Sequence, residues 1–293
     1  KVAWCDFEDN TIWTAASTNQ AGDLTLQSTG QIMQGIRANG QTLVLTDQDA
    51  HRFTYIGAPY VHQAERVGTS CGAISRKSAA ATSGGVFWMG QKGFYRYDGS
   101  SVSEVPCEVW DRVYADRNTA QISKVWAVSN GQNGEVWWFY PSEGATECDR
   151  YVAYDYIEGH WLIGSLARTA GVDRGVFRTT VWASSAGQIY NHETGLNYDG
   201  GDVYAETGPF RIGAGDNMAV VTRLIPDEAA LGDVDATFKT RLYPTAAEAS
   251  HGPYTLGNPT SVRFQGKQIR MRVTANPGVD WRVGKFRFDV TQG

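Results

Sequence analysis

At 293 residues, with 42% apolar and 12% aromatic side chains, the chain can fill a large core as one extended all-β unit or as two domains, and disorder is excluded. Its formal charge of −5, from 26 basic against 31 acidic residues, argues against a sequence-independent grip on nucleic acid, which needs Lys and Arg at the phosphates. No window approaches 18 uninterrupted apolar residues, which excludes a membrane-spanning helix.

The chain starts on Lys1 and a strand-like Val2-Ala3-Trp4, without a signal-peptide pattern, and reads as a fragment or a processed product. From Val2 onward a unit recurs in which an apolar strand leads through a Gly- or Asp-containing turn to an aromatic-rich strand. Its starts fall near Val2, Thr42, Val86, Val136 and Thr180, at intervals of 40, 44, 50 and 44 residues. In the second unit Thr42 to Asp47 leads to His51-Arg52-Phe53-Thr54-Tyr55-Ile56-Gly57, and in the third Gly85 to Gly90 leads to Gly93-Phe94-Tyr95-Arg96-Tyr97. Between them, Gly68-Thr69-Ser70-Cys71-Gly72 resembles a nucleophile loop but lacks the elbow spacing, and reads as a Gly-rich strand connector.

Helical signals are thin: a turn or two over Asn118–Ala127, and a shorter stretch at Asp227–Leu231. The best-defined unit is a meander of three strands, Val136 to Tyr140 stopped by Pro141, then Tyr151 to Tyr156, then Trp161 to Ile163. Trp137 and Trp138 are adjacent, so they point to opposite faces, one into the sheet's own core and one onto a neighbouring sheet. The fifth unit runs from Thr180-Val181-Trp182-Ala183 to Gly187-Gln188-Ile189-Tyr190-Asn191. Small meanders repeated every 40 to 50 residues predict about five β-propeller-like blades over residues 1–200.

After Asp199-Gly200-Gly201-Asp202 the strands lengthen and alternate: Val203–Ile212, Ala219–Ile225, Ala236–Tyr243, Gln268–Val273 and Trp281–Val290. This predicts a separate antiparallel sandwich or barrel over residues 201–293. Its dense basic set, Arg263, Lys267, Arg270, Arg272, Arg282, Lys285 and Arg287, is a candidate docking surface for an acidic neighbour. Alternation places Arg270 with Arg272, and Lys285 with Arg287, on polar strand faces, and a simply solvated face is the competing reading.

Catalytic chemistry finds little support. The five His (51, 62, 160, 192 and 251) lack metal-ligand spacing, and no H-E-x-x-H, G-x-S-x-G, P-loop or Rossmann pattern is present. Cys5, Cys71, Cys107 and Cys148 lie 66, 36 and 41 residues apart, which fits free thiols better than a metal or redox pair. Gly171-Val172-Asp173-Arg174-Gly175-Val176-Phe177 is a single imperfect Asp-box-like stretch, where a sialidase would repeat it. No catalytic residue, metal or cofactor is expected.

An ordered set of phrases resembles the hub or nozzle proteins of bacteriophage tails, also called packaged-DNA stabilisation proteins. They are Gln20-Ala21-Gly22, Tyr55 to Val61, Gly68 to Gly72, Phe87-Trp88-Met89-Gly90 with Tyr97-Asp98-Gly99, Glu135 to Tyr140, Asp149 to Val152, Ile189 to Gly195, and Trp281-Arg282-Val283-Gly284. The resemblance implies a β-propeller-type domain, a six-fold ring below the portal and adaptor, and no catalytic residues. It further implies a virion tail protein assembled in the host cytoplasm, with copies of itself and other tail proteins as partners and only passive contact with DNA. A carbohydrate-binding or glycoside-processing propeller is the alternative, in which Trp and Tyr would stack on sugars.

Overall fold

The computed structural model describes residues 1–198, 201–213, 217–227, 231–282 and 284–292. With 49% of the chain in strand and 5% in helix, the protein is all-β and built of small antiparallel sheets. It divides into two compact units, Lys1–Thr194 and Gly195–Gly293. The predicted boundary, Asp199-Gly200-Gly201-Asp202, lies slightly further on, and its first two residues fall outside the described residues. Residues 192–194 belong to the first unit because their polar groups are tied there. His192 N donates to Thr180 O at 2.8 Å, and the Glu193 carboxylate accepts from Asn133 Nδ2 at 3.1 Å.

The first unit is a run of five sheets in chain order. The first sheet pairs β1 (Val2–Trp4) with β2 (Gly22–Leu24). Three four-stranded meanders follow: β3 (Ile32–Ala38), β4 (Gln41–Thr46), β5 (Ala50–Gly57) and β6 (Val61–Gly68); then β7 (Ala79–Thr82), β8 (Gly85–Met89), β9 (Phe94–Tyr97) and β10 (Val102–Val105). After the short helix α1 (Trp110–Asp116) and a 3-10 turn over Thr119–Lys124 come β11 (Trp126–Asn130), β12 (Glu135–Tyr140), β13 (Arg150–Asp155) and β14 (His160–Ser165). The last sheet has three strands, β15 (Ala170–Val172), β16 (Val181–Ala183) and β17 (Ile189–Asn191).

The predicted repeat starts at Thr42, Val86, Val136 and Thr180 fall on or beside β4, β8, β12 and β16, the second strands. The unit begins one strand earlier, at residues 32, 79, 126 and 170. Second strands stand out in the sequence because they are buried on both faces, as in the pattern of β12, where Val136 to Tyr140 are all buried. First strands lie side by side, β3 against β7, β7 against β11 and β11 against β15. The expected turn or two within Asn118–Ala127 is the 3-10 helix Thr119–Lys124, and Trp126 beyond it already belongs to β11.

Successive sheets pack face to face. Leu43, Leu45 and Ala50 of the second sheet share a core with Ala79, Val86, Trp88 and Tyr97 of the third. Phe87, Met89 and Phe94 of the third meet Val136, Trp138, Tyr140 and Val152 of the fourth, with Val113 of α1 sealing that layer. On the fourth sheet's other face, Trp137 and Phe139 lie 5.1 and 5.3 Å from the Trp182 ring of the fifth. Trp4 of the first sheet sits 5.8 Å from Phe53 of the second. Trp138 and Trp137 thus face opposite ways, each against a different neighbouring sheet, so the fourth sheet is buried on both faces as their adjacency led one to expect.

The second unit is a sandwich. One sheet orders β18 (Tyr204–Glu206), β24, β21 and β22, with β19 (Phe210–Arg211) also on β24; the other orders β23, β20 and β25. The strands are β20 (Ala219–Ile225), β21 (Val234–Arg241), β22 (Ala249–Thr255), β23 (Thr260–Gly266), β24 (Gln268–Ala275) and β25 (Arg287–Gln292). Val221, Leu224, Val262 and Phe264 of one sheet close a core with Val234, Phe238, Ile269, Met271 and Val273 of the other. The predicted strand Val203–Ile212 is two, because Pro209 between them cannot donate to the ladder. Pro253, read as a turn, lies inside β22, where it is tolerated because β22 is an edge strand. The predicted strand Trp281–Val290 is shorter at its start: the described residues of 281–286 are not in strand. There Gly284 N is bound to Asp227 O at 3.0 Å instead of to a ladder. Val283, and residues 228–230 of the predicted stretch Asp227–Leu231, lie outside the described residues.

Candidate docking surface

Alternation along β24 buries Ile269, Met271 and Val273 and turns Arg270 and Arg272 outward on one face, as expected. Arg272 Nε donates to Glu206 Oε2 at 2.6 Å, and its guanidinium lies 3.8 Å over the Tyr204 ring. Arg270 Nη2 donates to Glu248 Oε2 at 2.9 Å. Arg270 Nε is 3.0 Å from Glu206 Oε1, an ion-pair distance without hydrogen-bond alignment. Glu206 thus bridges both guanidiniums. Such partly exposed pairs contribute on the order of 1 kcal/mol and hold the side chains in fixed positions.

Two cations on this face were not singled out in the sequence. Lys239 and Arg241 of β21 stand directly opposite Arg270 and Gln268. Arg241 Nε donates to Gln268 Oε1 at 2.8 Å and Nη1 to Pro244 O at 2.8 Å. The signal was available in the strict buried–outward alternation of β21.

The seven predicted residues do not form one surface. Arg263 of β23 and Arg287 of β25 project from the outer face of the other sheet, beside the Arg223–Asp289 pair at 2.6 Å. Lys267 sits in the turn between β23 and β24, and Arg282 and Lys285 lie in the exposed segment before β25. Lys285 is not on a strand, so its expected alternation with Arg287 does not hold. Opposite outer faces of a sandwich point in opposite directions, which separates Arg270 and Arg272 from Arg263 and Arg287.

In the first unit, the groups with chemical potential are engaged in packing. All four cysteines are free thiols. Burial pushes the Cys71 and Cys107 thiols up to about 11 and Cys148 up to about 12, which leaves them protonated and unreactive at neutral pH. The Gly68–Gly72 loop is a close backbone approach: Cys71 N donates to Gln48 O at 3.0 Å and Ala73 N to Thr46 O at 2.9 Å. Asp173 accepts from Ser129 Oγ at 2.6 Å and Gly131 N at 3.0 Å, so the Asp-box-like stretch ties the fifth sheet to the β11–β12 turn.

The Glu135 carboxyl is held above the usual carboxylate range by burial, with Glu193 and Asp155 nearby adding to the effect. Trp137 Nε1 and Asn130 Nδ2 donate to it at 2.8 and 2.9 Å. Among the described residues no group of three or more His, Cys, Asp or Glu side chains is placed to hold a metal ion. No helix among them is long and apolar enough to cross a membrane. No protein-family model matches the chain, and no curated protein matches it.

Proposed function

We propose that this chain is a structural protein of a bacteriophage tail, a hub or nozzle subunit. Copies of it form a six-fold ring that extends the DNA channel and retains packaged DNA until ejection, in contact with other tail, adaptor or portal proteins. On this reading its place is the virion, after assembly in the host cytoplasm, and it works mechanically, without catalysis or cofactor. The observation that supports the proposal is that four successive sheets lie with their first strands β3, β7, β11 and β15 side by side, which is compatible with blades of a propeller. Each face of a middle sheet is buried against a neighbour, so shear of one sheet must break two aromatic layers at once. That stiffness suits a conduit wall, and a ring closes its interfaces by symmetry.

DNA contact is passive on this reading, because the cations of the second unit are divided between two faces and partly neutralised by Glu206 and Glu248. Gel-shift titration of the chain with duplex DNA at moderate salt tests this. Weak binding is expected; submicromolar, strongly salt-dependent binding would overturn it.

A second reading, a carbohydrate-binding module, is favoured by one feature. A cleft of about 540 Å³ is lined by Trp4 and Tyr60 together with Asn19, Gln20 and Asp23. Tyr60 is 75% exposed there, an aromatic face beside amide and carboxylate groups, as sugar recognition requires. Saturable glycan binding lost in Tyr60→Ala would favour this reading over the conduit.

A further inference from the structure

Two residues before each of three successive first strands stands a cation: Lys77 before β7, Lys124 before β11 and Arg168 before β15. These strands lie side by side, and Lys77 forms a parallel bridge with Trp126, so the three positions gather at one end of the strand array. The second sheet departs from the pattern, with Gly30 at the matching place before β3.

The three cations are not used alike. Arg168 is buried, with its guanidinium 4.0 Å over the Tyr190 ring and Nε donating to His192 Nε2 at 3.0 Å. Lys124 Nζ reaches the Glu147 carboxylate and donates to Thr146 O at 2.6 Å. Lys77 and its neighbour Arg76 are exposed, and their side chains make no ion pair with any described residue. Arg76, Lys77, Lys124, Ser123 and Thr169 line one cleft of about 280 Å³, backed by Trp126.

The cleft is held in shape by its walls. Ser75 Oγ donates to Val125 O, Ala127 N to Lys77 O at 2.7 Å, Trp126 Nε1 to Arg168 O at 3.0 Å, and Cys148 Sγ to Lys124 O at 3.3 Å. Three cations face a single carboxylate, Glu147, which leaves a surplus of two positive charges in a chain whose overall balance is negative. A dianion matches that surplus better than a carboxylate does. An arginine fork beside two ammonium groups and a hydroxyl is a donor set that phosphate oxygens satisfy. The volume is at the small end for ligand clefts and has ample room for a phosphate group.

We infer that the cleft at the entrances of β7, β11 and β15 is a seat for a phosphate group, bound by Arg76, Lys77 and Lys124 with the Ser123 hydroxyl beside them. The seat does not rest on the conduit reading: it holds one phosphate group, free or carried on a nucleic-acid backbone, and not the length of a duplex.

The test is calorimetric titration of the purified chain at low ionic strength, with inorganic phosphate in one arm and a short DNA duplex in the other. Chloride at matched ionic strength serves as the control. Saturable phosphate binding is expected, with affinity falling at least about tenfold in the Arg76→Ala/Lys77→Ala double variant and unchanged in Arg263→Ala. Both replaced side chains are exposed, and far-ultraviolet circular dichroism checks that the double variant is folded. If the duplex binds through the same two residues while inorganic phosphate does not, the source is the nucleic-acid backbone and the seat stands. Absence of saturable binding in both arms, an equal effect of chloride, or affinity unchanged in the double variant would overturn it. Submicromolar duplex binding that survives the double variant would count against the passive conduit, while the phosphate arm alone then decides the seat.

Discussion

Trp138 Nε1 donates to the carbonyl oxygen of Ser78, 2.9 Å away and 60 residues earlier in the chain. The bond joins the middle of β12 to the residue just before β7, so one buried indole both fills the layer between two sheets and fixes their relative position. Its neighbour Trp137 faces the other way, 4.4 Å from Tyr151 and 5.1 Å from Trp182.

Trp138→Ala is expected to destabilise the first unit by about 3–5 kcal/mol, from lost burial and the cavity left behind; the Ser78 carbonyl keeps its bond from Met89 N at 3.1 Å. Trp137→Ala is expected within the same range: Trp137 retains some exposure, which lowers the cost, but its loss also removes a donor from buried Glu135, which raises it. Urea unfolding followed by circular dichroism measures both. Unchanged midpoints in the two variants would contradict the stacked-sheet account.

The connector at Gly72 gives a sharper steric test. A Cβ there would lie 2.0 Å from the carbonyl carbon and oxygen of Asp47, backbone atoms that cannot rotate away. Gly72→Ala is therefore expected to destabilise by more than about 2 kcal/mol, whereas Gly175→Ala, with nothing within 4 Å, should stay within about 0.5 kcal/mol. Equal thermal midpoints for the two variants would refute the close approach.

His51 sets an acid limit. Burial lowers its pKa below the ordinary 6.5, and the Gln27 backbone and Asp49 oppose this only in part; among the described residues neither ring nitrogen reaches hydrogen-bond geometry with a partner. The folded state thus refuses a proton that the unfolded chain accepts. Stability contributed by the neutral ring is present above about pH 6.5 and is lost as pH falls below it. His62, lowered mainly by burial against Phe53 and Trp4, acts in the same direction. The melting temperature is expected to drop between pH 7 and pH 5, and to drop less in His51→Leu. An identical pH profile in wild type and variant would rule this out.

What the sequence disclosed follows burial. Strands buried on both faces, such as Val136–Tyr140, carry unbroken apolar runs and were legible; first strands such as Ile32–Ala38, partly exposed and interrupted by Gln34, Gly35 and Arg37, were not. The helix α1 escaped notice because only Val113 of its seven residues is buried, too few for a helical period to show. Of the candidate docking set, Arg270 and Arg272 were placed correctly by alternation. Arg263 and Arg287 also alternate, but the sequence does not say which sheet of a sandwich a strand joins. Lys239 and Arg241 were missed because proximity in the fold, not in the chain, brings them beside β24.

The central claim, that the chain is a ring-forming structural subunit, is tested most directly by negative-stain electron microscopy of the purified protein across a range of concentrations. Closed rings of several copies around a central opening are expected. Single particles of one chain's mass at every concentration would contradict it.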